Sequence, residues 1–150
     1  MQLFEVPAGA AREKLLDLLV LADEDVNIVK GYINEGKMFE INIDNKRAGV
    51  IQIIEREGYL EVKNIAITPE LQGKGIGKKA LRFVEQISYD EGAQLMKVGT
   101  ANSSIKNIAF YQKAGYRLDS IIHDFFTNYK EPIYENGIQA IDMLYFSKEL

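Results

Sequence analysis

The sequence predicts an α/β (α+β) fold, a central mixed, mostly antiparallel sheet of six to seven strands flanked by about four helices. Three observations predict it. Strand-like segments 39–43, 48–55 and 59–67 follow one another across short turns, which makes them an antiparallel meander. A helix-period segment from Gly75 to Glu91 then leads into the short run Leu95–Gly99, the order of a crossover that lays this strand parallel to 59–67. One further helix and two further strands follow with no repeat, low-complexity stretch or linker, so residues 1–150 read as a single domain.

Each element has its own warrant. Residues 2–6 form a short strand that offers Leu3 and Phe4 to the core. From Ala8 to Ala22, Leu15, Leu18, Leu19 and Ala22 recur at helical spacing. Asp23-Glu24-Asp25 supplies an N-cap and acidic first turn for a second helix, with Val26, Val29 and Ile33 on one face and Gly36 at its end. Phe39, Ile41 and Ile43 alternate with Met38, Glu40 and Asn42, the period of a half-buried strand, and Asp44-Asn45 turns the chain. Ala48–Glu55 is apolar on both faces except at Gln52, which predicts a central strand. Glu57-Gly58 turns again into the strand Tyr59–Ile67.

The next helix directs Ile76, Ala80, Val84 and Ile87 inward, and Gly92 ends it. Thr100–Ser104 is a polar loop that caps a helix running to Lys113, with Gly115 at C′. Tyr116–Ile122 and Ile138–Phe146 are the last strands, separated by an aromatic-rich loop over 124–137.

Composition narrows the function classes. Hydrophobic residues at 47% and charged residues at 27% exclude a disordered chain. With no cysteine and one histidine, disulfides, thiolate metal sites, multi-histidine metal sites and a cysteine nucleophile are all excluded. A net charge of −4 argues against general nucleic-acid binding. Neither a leader segment nor a run long enough to span a bilayer is visible, so no membrane is expected and the cytoplasm is the expected location.

Against that acidic background, residues Leu71–Val84 carry Lys74, Lys78, Lys79 and Arg82 and no acid. They follow Thr68-Pro69 and contain Gln72-Gly73-Lys74-Gly75-Ile76-Gly77, a glycine-rich turn into a helix N-terminus. Glycines admit a ligand close to the backbone, and the first helical N–H groups lack partners, so the stretch suits a phosphate. The Walker pattern fails, because Lys78 is followed by Lys79, and the G-x-G-x-x-G dinucleotide pattern fails on spacing. Residues 72–77 do fit Gln/Arg-x-x-Gly-x-Gly/Ala. Further on, Phe110-Tyr111-Gln112-Lys113-Ala114-Gly115-Tyr116 fits Leu/Phe-Tyr-x-Lys-x-Gly-Phe/Tyr.

On these two signatures and the βααβββαβαββ order, the chain resembles the GNAT superfamily of N-acetyltransferases, most strongly from Tyr59 to Arg117. The resemblance implies a sheet splayed where acetyl-coenzyme A enters, with the backbone of Gln72, Gly73, Lys74, Gly75, Ile76, Gly77 and Lys78 on its pyrophosphate. It implies that the strand edge at Ile65, Ala66 and Ile67 pairs with the pantetheine arm, with an N–H around Ile67 as oxyanion donor. Tyr111 stands where the family protonates the leaving thiolate. Ser104 stands where the family has asparagine, which leaves the pantetheine contact to Asn102, Ser104 or Asn107, or makes all three turn and capping residues.

Glu61 lies six residues before Ile67, at the distance of the glutamate base in histone-acetylating members. Under strict alternation it shares a face with Ile65 and Ile67. The alternative is a strand glutamate paired with Lys63 or another neighbour. His123 either lines the acceptor cleft or is a half-exposed polar residue. Tyr129, Tyr134 and Glu135, in a loop that also holds Phe125 and Phe126, suit a cationic amine, a homodimer interface or a cap on the core. The expected activity is acetyl transfer to a primary amine of a small molecule or peptide by direct attack, since no cysteine can carry the acyl group. A non-catalytic coenzyme A sensor on the same fold is the alternative.

Overall fold

A computed structural model describes all residues from Met1 to Leu150. They form two compact units, Met1–Ala93 and Gln94–Leu150. In the first unit, β1 (Gln2–Glu5), β2 (Lys37–Ile43), β3 (Lys46–Arg56) and β4 (Tyr59–Ile67) lie side by side in that order, each antiparallel to the next. The β2–β3 turn is Asp44-Asn45, both at positive φ (51° and 62°), the two-residue hairpin whose twist matches the strands it joins. β3 is central as expected, and Gln52 within it is fully buried.

The expected first helix is two short ones, α1 (Ala10–Glu13) and α2 (Leu16–Ala22). The chain tightens between them, with Leu15 N–H donating to the Arg12 carbonyl (2.9 Å), and Ala22 is exposed, not in the core. Helix α3 (Val26–Tyr32) is capped by Asp25, whose Oδ1 accepts from Asn27 N–H (3.0 Å) and Ile28 N–H (3.2 Å). Leu15, Leu18, Leu19, Val29, Tyr32 and Ile33 from these helices close over Met38, Val50, Ile54 and Ala66 of the sheet. Phe4 is 53% exposed, because β1 is an edge strand and offers only one face to the core.

Beneath this layer lies Arg12, 4% exposed, which reading the helix period did not single out. Its guanidinium donates to the carbonyls of Val6 (3.0 Å), Ile33 (3.0 Å), Glu35 (2.9 Å) and Gly36 (2.8 Å). These carbonyls lie at and just past the ends of β1 and α3, where the regular ladders stop, and that of Glu35 also accepts from Gln52 Nε2 (2.9 Å). Burial lowers the Arg12 pKa, and the nearby Glu5 carboxylate offsets part of that.

Helix α4 (Ile76–Asp90) packs against β4. Its buried residues are Ile76, Ala80, Leu81, Val84, Glu85 and Ser88, while the expected Ile87 is only half-buried. No helix is long and apolar enough to cross a membrane.

The second unit holds β5 (Leu95–Ala101), α5 (Ile105–Lys113), β6 (Arg117–Ile122), a small hairpin of β7 (Tyr134–Glu135) and β8 (Ile138–Gln139), and β9 (Met143–Glu149). β9 lies between β5 and β6, antiparallel to both. The expected last strand over 138–146 is therefore two. Asn102 causes the break: its Oδ1 accepts the N–H of Ile141 (2.8 Å) and of Asp142 (3.0 Å), which removes both from any strand ladder.

Candidate active site

Gly73 and Gly75 have φ of 77° and 80°, the left-handed region open to glycine at little cost. A Cβ on either would meet nothing within 4 Å, so packing is not what requires glycine there. Gly75 is the N-cap of α4 and has no side chain to cap it. The first N–H to return into the helix is that of Lys79, onto the Gly75 carbonyl (3.1 Å). The N–H groups of Ile76, Gly77 and Lys78 are thus left without an intrahelical partner at the positive end of a fifteen-residue helix. Gln72 ties this turn to β4, its Nε2 donating to the Ile67 carbonyl (2.9 Å). Exposed Lys74 and half-exposed Lys78 add positive charge. This cradle fits a pyrophosphate.

β4 carries a bulge. Its register with β3 runs Ile53 to Val62 and then Gln52 to Asn64, which leaves Lys63 as the extra residue. The extra residue inverts the phase of the strand, so strict alternation from 61 to 67 is wrong. Glu61 faces the same way as Asn64 and Ala66, away from the face of Ile65 and Ile67. It is 7% exposed, Arg56 Nε donates to its Oε1 (3.0 Å), and Arg56 Nη2 is ion-paired with the same oxygen at 2.9 Å. Its partner is therefore Arg56 and not Lys63, whose Nζ sits 4.9 Å from the centre of the Tyr32 ring.

In the second unit, Tyr111 is held by the way its helix ends. Gly115, at φ 95°, lets Tyr116 N–H reach back to the Tyr111 carbonyl (2.9 Å) and Gly115 N–H to that of Gln112 (3.0 Å), a Schellman cap. The cap folds the Tyr116 ring edge-on against Tyr111, centroids 6.0 Å apart, and Phe110 and Phe146 close the other sides at 5.1 and 6.3 Å. Tyr111 is 5% exposed, and no group of the chain hydrogen-bonds its hydroxyl. Burial alone pushes its pKa well above the ordinary phenol value, so it is a neutral donor at any working pH.

Three polar residues were candidates for pantetheine. Asn102 is bound into the 139–142 backbone at three points, Nδ2 donating to the Gln139 carbonyl (3.1 Å) besides the two bonds above. Ser104 stands at the N-cap of α5 without capping it. Its hydroxyl instead donates to Glu135 Oε1 (2.8 Å), as does that of Ser103 (3.2 Å). Asn107 makes one long bond, 3.4 Å, to Thr100 Oγ1.

Of the acceptor candidates, Glu135 is thus brought to Ser104 and half-buried. Tyr134 is 64% exposed, Tyr129 packs on Phe126 at 5.5 Å, and exposed His123 has its Nδ1 3.6 Å from Asp142 Oδ1. Missed by the sequence reading were Tyr32 and Asn64, which are buried beside the bulge. Their only signal was polarity at core positions, and the assumed alternation assigned neither of them to a site.

Residues 12–116 match the family model described as acetyltransferase (GNAT) family. Over 147 residues the chain is 38% identical to the uncharacterized N-acetyltransferase YvbK of Bacillus subtilis (strain 168), covering 96% of this chain and 95% of that protein. A GNAT family acetyltransferase from Elizabethkingia anophelis with acetyl-CoA bound superposes with a TM-score of 0.89 at 33% identity, over 99% of this chain and 98% of its own. A Bacillus subtilis acetyltransferase in complex with CoA does so with a TM-score of 0.89 at 36% identity, over 99% of each chain. The mixed α/β fold is that of these acetyltransferases.

Proposed function

Because the chain belongs to the acetyltransferase (GNAT) family, we propose that it acts as one domain that moves an acetyl group from acetyl-coenzyme A to a primary amine by direct attack. The observation that carries this reading is the uncapped N-terminus of α4 behind two left-handed glycines on which a Cβ would meet nothing within 4 Å. Acetyl-coenzyme A, when bound, supplies the thioester and a pyrophosphate by which it is held. On this reading the N–H groups of Ile76, Gly77 and Lys78 hold the pyrophosphate, with Gly73 and Gly75 shaping the turn and Lys74 adding charge. Gln72 keeps the turn in register with β4. The backbone of Ile65, Ala66 and Ile67 aligns the pantetheine arm, and an N–H around Ile67 receives the oxyanion. Asn107, held by one long bond, is the side chain left to contact pantetheine.

Tyr111 serves the leaving sulfur. As the C–N bond forms and the C–S bond breaks, its neutral hydroxyl donates a hydrogen bond to the sulfur. A thiol is more acidic than a phenol held above its usual range, so the proton that completes the thiol comes in net from the amine. Solvent water, not Glu61, takes the amine's first proton. Exposed His123 and Tyr134 are the accessible residues of the aromatic loop for meeting an acceptor, with Tyr129 and Glu135 behind them.

Thiol release from acetyl-coenzyme A in the presence of a panel of primary amines tests the reading. Turnover with at least one amine is expected. Coenzyme A-dependent thermal stabilisation with no turnover across the panel would assign the non-catalytic sensor instead. Gly75→Ala, which places a Cβ in the left-handed region at about 1–2 kcal/mol, is expected to weaken coenzyme A about tenfold by calorimetry. Glu61→Gln is expected to leave kcat within about twofold, while loss of the charged hydrogen bonds to Arg56 lowers stability by about 1 kcal/mol. A tenfold fall in kcat would return the base to Glu61.

A further inference from the structure

Strand β6 has β9 on one side and no strand on the other. Its outer edge therefore carries backbone N–H and C=O groups with no ladder to receive them. All six of its residues are exposed, among them Leu118 (58%), Ile121 (45%) and Ile122 (45%). Single exposed apolar residues are ordinary, but three on one short edge make a surface that a lone subunit leaves in water.

A bulge in this strand determines what can pair with it. Leu118 lies opposite Phe146 and Ser120 opposite Tyr145, so Asp119 is the extra residue. The faces follow from β9. Leu118 and Ile121 oppose Phe146 and Leu144, two apart, and share one face. Arg117, Ser120 and Ile122 oppose Ser147, Tyr145 and Met143 and share the other face. Asp119 lies there too, since its Oδ2 is 3.1 Å from the Nζ of Lys97, which pairs with Ser147. The order of faces is thus the same from either end of β6. A regular six-residue strand lacks this property, because its two ends point to opposite faces.

Directly opposed residues of an antiparallel pair share a face, so β6 matches a second copy of itself about a two-fold axis between Asp119 and Ser120. That match sets Leu118 against the partner's Ile121 and Arg117 against the partner's Ile122, each twice. Charge agrees with it. The Arg117 side chain has no ion partner within the chain, and neither does the carboxylate of exposed Asp124, two residues past Ile122. The two-fold brings the partner's Asp124 diagonally across from Arg117, within reach of a long side chain.

We infer that β6 is the interface of a homodimer, in which two sheets join edge to edge through antiparallel β6 strands. The inference does not depend on the reaction the chain performs. It does bear on the aromatic loop, because Asp124 is the root of that loop. Its N–H donates to Asp142 Oδ1 (2.9 Å) and its carbonyl accepts from Thr127 Oγ1 (2.8 Å), so the partner's Arg117 steadies the loop from outside.

Sedimentation equilibrium of the full chain as a function of concentration tests the interface. A monomer–dimer equilibrium with a Kd of about 1–50 µM is expected, as suits a seam at the small end of interface sizes. Leu118→Glu or Ile121→Lys alone should raise that Kd by about tenfold or more, each setting a charge against an apolar neighbour. Both positions are exposed in the subunit, so far-UV circular dichroism of either variant should match the parent. The combined variant sets opposite charges across both pairs and should bring the Kd back to within about threefold of the parent. Arg117→Glu, which meets the partner's Asp124 with a like charge, should raise the Kd about tenfold and decides the matter if the other variants fail to fold. A monomer throughout the series overturns the inference and leaves this edge to a strand from another protein. A dimer that none of these substitutions weakens overturns it as well, and weakening without recovery in the combined variant overturns the two-fold register.

Discussion

Tyr111→Phe is expected to lower kcat about a hundredfold while leaving the KM for acetyl-coenzyme A within about twofold and the protein no less stable. The two halves of this expectation have one physical origin. The ring fills a pocket made by Phe110, Tyr116 and Phe146, and phenylalanine fills it equally well. The hydroxyl has no partner within the chain, so removing it gives up no hydrogen bond inside the protein. A tyrosine kept only to anchor α5 would show the reverse: unchanged turnover. Burial also raises its pKa, so Tyr111 stays protonated through pH 10, the ordinary phenol value, and no loss of rate there belongs to it. Single-turnover rates and thermal melts on the same preparation decide the point. Loss of stability with kcat within threefold of the parent would remove Tyr111 from the chemistry.

Arg12→Met is expected to destabilise the protein by about 3–4 kcal/mol, roughly 10 °C in the thermal midpoint. The guanidinium donates to four carbonyls at once, and methionine offers a donor to none of them, leaving that of Glu35 to Gln52 alone. Arg12→Lys recovers little, since one ammonium cannot span the fork. Urea unfolding measures both variants. A lysine variant within 1 kcal/mol of the parent would show that charge, and not the planar array of donors, is what the site uses. Because Arg12 joins the end of β1 to the end of α3, the loss should be cooperative and not confined to fraying of the N-terminus.

The parts of the fold that were legible in the sequence are those set by local chemistry. Asp44-Asn45 specifies its turn because both residues tolerate positive φ. Gly73, Gly75 and Gly115 mark two of the places where the backbone goes left-handed, and both belong to the candidate site. What could not be read depends on partners distant in the chain. Nothing about Lys63 announces that it is an extra residue; the register with β3 decides that. Arg12 sits in a helical stretch where an exposed arginine is the default, and only the carbonyls of residues 33–36 make it a core residue. Asn102 reads as a loop residue, yet it splits the last strand from 39 positions away. Asn64 and Gln52 read as polar residues within strands, and only their mutual pairing under the helices sets them together.

The bulge in β4 bears on how any two members of such a group should be compared. On either side of Lys63 the strand belongs to opposite phases, so Val62 and Asn64 look two apart in sequence yet reside in different compartments of the molecule. Roles can be carried between chains only in two separate blocks, one ending at Val62 and one beginning at Asn64. A comparison that slides across that point by a single position exchanges inside for outside while every residue still appears correctly aligned.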